Sequence, residues 1–269
     1  MNIIDLTDVY IKKVLEEQDS EAYFSADQEL FEHYFAFWAP REHWHNEIKT
    51  KEGVTQHKNL IINQFGYIKE CLKNIGDITE IPVVLMVGQG TTNGHAYQHG
   101  NRFGIFLPVE SYQTEMQARV FVTHEFVHAL HYQKQPEFYF STIAEKESLE
   151  RQLITEGLAT YISQMVLNIS DADALWADYI SEKEKSTWTQ QCKNRLSELN
   201  ELLRESALRP TVPELFMSKD PSDIKKYRGG YYLGLQLIKD LGKSPSDLLS
   251  IPRAEFLQII NKQVRETAI

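Results

Sequence analysis

Met116-Gln-Ala-Arg-Val-Phe-Val-Thr-His124-Glu125-Phe-Val-His128-Ala-Leu-His131 is the stretch from which the rest of the chain can be read. Met116, Val120, Thr123, Val127 and Leu130 recur at helical spacing, and Phe121, Val122 and Phe126 make much of the remaining circumference apolar. A helix that is apolar nearly all round is a buried helix. Within it His124 and His128 stand four residues apart, ~40° from each other round the axis and ~6 Å along it. Two imidazoles so placed can grip one metal ion from the same side. Glu125, between them, is set where a base could take a proton from water. Such groups cannot simply be solvated inside a buried helix, and an unpartnered buried carboxylate is costly. A metal ion with its water satisfies all three. The alternative is a core helix whose histidines bond to backbone carbonyls.

A catalytic site of this kind usually takes three protein ligands and one water. His131 lies on the same face but ~10.5 Å along the axis from His124, too far in an unbroken helix. It is read as a supporting or surface histidine. Glu156 is the better third ligand. In Leu149-Glu-Arg-Gln-Leu-Ile-Thr-Glu-Gly-Leu-Ala-Thr-Tyr161, residues Leu149, Leu153, Glu156 and Thr160 project within ~60° of one another. Glu156 therefore interrupts the inward stripe of the next long helix, and a carboxylate on that face wants a cation. Gly157 beside it costs about 1 kcal/mol of helix propensity and permits close helix approach. The competing reading pairs a buried Glu156 with an arginine such as Arg119 or Arg151.

The whole composition bounds the classes of function. With 269 residues, 42% hydrophobic and 25% charged, the chain reads as one globular domain, helical over 1–75, sheet plus motif helix over 76–135, and helical again over 136–269. A formal charge of −10 argues against nucleic acid or an anionic membrane surface as partner. No basic region followed by an apolar run opens the chain, and no stretch reaches the ~18 apolar residues of a membrane span. Cys71 and Cys192 form no metal-binding pattern and read as reduced core thiols. The cytoplasm is the expected location.

Periodicity places the motifs. Helices are expected over 9–17, 26–38 and 58–74, with Tyr34, Phe35, Phe37 and Trp38 in the core. Ile81-Pro-Val-Val-Leu-Met-Val87 reads as a buried strand, 88–101 as a loop, and Phe103-Gly-Ile-Phe-Leu-Pro108 as a second strand. Gly104 and Pro108 suit an edge position, where an extended peptide could pair. His95 and His99 fall in the loop, where polar histidines are mostly exposed, although the loop could border a cleft. Helices follow over 113–134, 143–169, 171–207, 222–241 and 253–266; in the third, Trp188, Cys192, Leu199 and Leu203 form an apolar stripe. Strands followed by a run of helices indicate an α+β architecture: a small sheet with an edge strand beside the motif helix, then a mainly helical C-terminal half.

His124-Glu125-x-x-His128 followed by Glu156-Gly157-Leu-Ala resembles the gluzincin metallopeptidases, and especially a bacterial group of zinc-dependent proteases, over roughly residues 80 to 240. The resemblance implies a zincin-like fold, Zn2+ held by His124, His128 and Glu156, Glu125 as catalytic base, and a peptide or protein substrate. The Gly and later His of the metzincins are lacking. Thermolysin-like members place an Asp four residues after the ligand Glu, whereas this chain has Thr160, so the groups supporting the ligands must be built differently. Aminopeptidase-type members carry a Tyr-x-x-Gly tyrosine that hydrogen-bonds the oxyanion, and Tyr231-Tyr-Leu-Gly234 fits that pattern. Tyr232 and Arg228 are substitutes for Tyr231 in that role, and the plain alternative packs these aromatics in the core. Two other classes stay open beside a hydrolase: a non-catalytic binding protein on the same scaffold, and a metal-free helical interaction module.

Overall fold

Pro82-Val-Val-Leu-Met86 is buried at every position, and an unbroken apolar run of this kind makes an inside strand covered on both faces. The computed structural model describes residues 1–45, 47–204 and 211–266, with side chains for these except 204 and 261–266. They form an α+β fold in two compact units, Met1–Gln133 and Lys134–Ile269.

The first unit begins with β1 (Asn2–Asp5), α1 (Thr7–Tyr10) running on as a π-helical stretch to Glu16, α2 (Ser20–Phe24), α3 (Gln28–Phe37), α4 (Lys51–Ile62) and α5 (Phe65–Leu72). Strands β2 (Pro82–Met86), β3 (His95–His99) and β4 (Arg102–Pro108) follow, then the long α6 (Glu115–Lys134). The sheet is small and mixed, in the order β1-β2-β4-β3, with β1 and β4 parallel to β2, and β3 antiparallel to β4.

Two expectations are corrected by this sheet. Residues 102–108 are not an edge strand: β4 lies between β2 and β3, and the edges are β1 and β3. Gly104 serves close packing instead, since a Cβ there would stand 2.9 Å from the Pro82 carbonyl oxygen. Pro108 sits at the strand's end, opposite Met86, where its missing N–H does least harm. The expected loop 88–101 also contains a strand, because His99 pairs with Arg102 across a two-residue Gly100-Asn101 turn in which Gly100 has φ +60°. β1 went unread because only Ile3 and Ile4 signal it, and its residues are exposed or half-buried.

The second unit is mainly helical: α7 (Ile143–Lys146), α8 (Leu149–Leu167), α9 (Asp171–Trp176), α10 (Glu182–Asn194), α11 (Leu196–Arg204), α12 (Gly229–Asp240), α13 (Pro245–Leu248) and α14 (Arg253–Glu266). The expected helix 171–207 is broken into three, and its residues 205–207 lie outside the described residues. One break has a local cause: the Ser181 hydroxyl and the Glu184 carboxylate form a reciprocal capping box that starts a new helix. Trp188 and Cys192 on α10, and Leu199 and Leu203 on α11, are all buried, though on two helices rather than on the one face expected. Both cysteines are free thiols, Cys192 buried and Cys71 half-buried. Among the described residues no helix is long and apolar enough to cross a membrane.

Candidate metal centre

Helix α6 starts where the Thr114 hydroxyl accepts the Gln117 amide (3.1 Å), and from Val120 to Tyr132 every residue is buried. His124, Glu125 and His128 lie within that stretch, 6%, 4% and 1% exposed. The Nε2 atoms of His124 and His128 face each other at 3.0 Å, with the ring planes at 78°. Two imidazole ligands of one tetrahedral zinc stand ~3.3 Å apart, given bonds of ~2.0–2.1 Å. The same contact suits an N–H···N hydrogen bond, so the full donor set must decide the chemistry.

Glu156 lies in α8, half-buried, on the helix that its apolar spacing predicts. Among the described residues, His124, His128 and Glu156 each offer a ligand atom, and these atoms lie within 4.8 Å of one another. Two neutral imidazole nitrogens and one carboxylate oxygen suit a borderline divalent ion such as zinc. Arg119 donates to Gln64 (2.7 Å) and Glu115 (2.9 Å), and Arg151 to the carbonyls of Phe138 (2.8 Å) and Lys146 (3.4 Å). His131 is not a surface residue but fully buried, its ring stacked on Tyr132, and it is not one of the three.

Gly157 does what its position suggests. A Cβ there would lie 2.4 Å from the carbonyl carbon and oxygen of Gly234, and one on Gly234 would lie 2.6 Å from the Leu153 carbonyl oxygen. Helices α8 and α12 therefore cross backbone to backbone, which fixes Glu156 on one relative to the first turn of the other. Tyr231 belongs to that turn. Its ring packs against Phe216 at 5.3 Å, and the Arg228 guanidinium lies 4.6 Å from its centre and 4.7 Å from that of Trp176. Arg228 precedes the helix in the left-handed region, φ +58°. Tyr232 is core: 3% exposed, edge-on to Trp188, its hydroxyl pushed up to about 12 by burial.

The loop after β2 arches over Glu125. Glu110 accepts the Gly88 amide at 3.0 Å and the Gly90 amide at 3.2 Å, and burial pushes its carboxyl up to about 7. Tyr34 bonds Thr91 (3.1 Å), Ser111 donates to the Thr92 carbonyl (2.7 Å), and the Tyr112 hydroxyl donates to the Asn93 carbonyl. So anchored, the chain passes Gly94 (φ +138°) against Glu125, where a Cβ would stand 3.2 Å from its Cγ, and turns His95 inward. His95 is buried, with Nδ1 4.0 Å from Glu125 Oε2. Sequence reasoning treated it as a loop residue; the Gly100-Asn101 hairpin signal could have placed it on a strand. His99, at the strand's other end, pairs instead with Asp27 at 3.4 Å. No protein-family model matches the chain, nor does any curated protein or solved structure.

Proposed function

We propose that this protein is a zinc-dependent hydrolase, most simply a peptidase, working through a metal-activated water with Glu125 as general base. The observation that carries the reading is the donor set itself: His124, His128 and Glu156 within 4.8 Å, with a buried Glu125 beside the two histidines. A zinc ion held there would supply Lewis acidity, making water a nucleophile near neutral pH and polarising a carbonyl. His124 and His128, on a buried helix, would hold the ion, and Glu156 would add the negative charge that favours a cation. Glu125 takes the proton of the attacking water and passes it to the departing amine. Tyr231 is assigned as hydroxyl donor to the oxyanion, a role its place in the Tyr-x-x-Gly pattern supports. The net charge of −10 supports a peptide or protein, rather than nucleic acid, as substrate.

Elemental analysis of protein purified without added metal, followed by a broad peptide-library screen of the wild type and Glu125→Gln, tests the reading. About one zinc per chain is expected in both proteins. Cleavage should fall by ~10²–10⁴-fold in the variant. Absence of bound metal, or an unchanged cleavage rate in a metal-loaded Glu125→Gln protein, overturns it.

A further inference from the structure

Two features of the β3–β4 hairpin converge on Glu125. The hairpin turn at Gly100-Asn101 sets the register that pairs His95 with Phe106. Gly94 then presses backbone on the Glu125 stem: a Cβ at that position would be 2.9 Å from the Phe106 carbonyl oxygen as well as 3.2 Å from Glu125 Cγ. The next side chain, His95, reaches the carboxylate head. Its ring is held on several sides, 4.8 Å from Trp38, 5.9 Å from His128, 6.4 Å from Tyr132, and 6.4 Å from His33 in a near-parallel stack (4°). A buried imidazole so confined has little rotational freedom and points one nitrogen, Nδ1, at Glu125 Oε2.

We propose that His95 is a positioning residue for Glu125, its Nδ1–H orienting one carboxylate oxygen so that the other is turned to the water. The consequence for turnover rests on the hydrolase reading above; the His95–Glu125 contact does not. The 4.0 Å separation is longer than a direct hydrogen bond. A small torsional adjustment of Glu125 closes it, as contacts in ligand-free sites commonly tighten on engagement. His95 keeps its proton throughout, so no change in its charge is invoked. A group that orients another in this way typically matters by roughly 10–100-fold.

Imidazole 15N NMR of the full-length protein as purified, wild type and Glu125→Gln, reads the contact directly, with His95→Asn assigning the His95 signals by their loss. The expected result is a protonated Nδ1 in the wild type whose resonance moves in Glu125→Gln. In the peptide assay, His95→Phe should lower kcat by roughly 10–100-fold with KM and metal content unchanged. His95→Asn, which keeps an N–H near the Nδ1 position, should recover part of the loss. An unprotonated Nδ1, a resonance indifferent to Glu125→Gln, or a wild-type kcat in His95→Phe overturns the proposal. A wild type that binds no metal and cleaves no peptide sinks the hydrolase reading alone, since the NMR comparison still decides the contact.

Discussion

Glu156 is the residue on which the metal reading is most exposed, because it is the one proposed ligand outside the α6 motif. Glu156→Gln keeps the volume and an oxygen donor but removes the negative charge that two neutral imidazoles cannot supply. Competition with a calibrated chelator should show zinc affinity falling by more than the ~10–100-fold typical of losing a merely supporting group. Equal zinc affinity in the two proteins would remove Glu156 from the site. Both α6 and the carboxylate were legible at this scale, because each breaks a strong apolar pattern with a group that burial penalises. His95 was not. Its burial depends on strand pairing between β3 and β4 and on packing against α3 and α6, and neither leaves a mark on the residue itself.

Elements were legible where a single pattern ran long enough: β2 from its continuous apolar run, α6 and α14 from their period. Breaks were harder to see, since a helix of α10 type restarts on one serine and one glutamate inside an otherwise unbroken period. The edge position was misjudged for a related reason. Gly104 and Pro108 are compatible with an edge, but what decides is whether another strand comes along to cover it, and that is a property of the neighbouring segment. The α8–α12 crossing gives a quantitative test. Gly157→Ala puts a methyl 2.4 Å from Gly234 backbone, and neither backbone can yield as a flexible side chain would. Urea unfolding should show a loss of about 1–3 kcal/mol or more. Zinc affinity should fall as well, because the separated helices carry Glu156 with them. Gly66→Ala is the matched control: Gly66 lies exposed in α5 with nothing within 4 Å of the added carbon. It should gain ~0.4–1 kcal/mol with zinc affinity untouched. If Gly157→Ala were as mild as Gly66→Ala, the crossing would not be what fixes Glu156.

For the molecule as a whole, the boundary was not legible: the two compact units divide at Gln133 and Lys134, at the very end of α6, where no glycine- or proline-rich stretch marks it. Stability of the first unit is tied to pH through Glu110, whose carboxylate gathers the amides of Gly88 and Gly90 at the root of the loop that arches over Glu125. Burial, reinforced by the charge of Glu47, raises this carboxyl from 4.5 to about 7, outweighing the amide hydrogen bonds that favour the ionised form. The folded chain therefore retains a proton between about 4.5 and 7 that the unfolded chain has released. The sign follows: the unfavourable contribution is absent below 4.5, grows as pH rises to 7 and is complete above it. Glu110→Gln cannot ionise and escapes this dependence, while every other titrating group is common to both proteins and cancels in the comparison. The melting temperature of Glu110→Gln relative to wild type should thus be higher at about pH 8 than at about pH 5, by a difference on the order of 1–3 kcal/mol in stability. Tyr10, Tyr23 and Tyr34, packed near the same loop, are all raised by burial and stay neutral across that range. A melting difference that is flat with pH, or that shrinks as pH rises, would mean that the Glu110 carboxylate is solvated or paired well enough to ionise normally, and that the loop over Glu125 is held by Tyr34, Ser111 and Tyr112 without it.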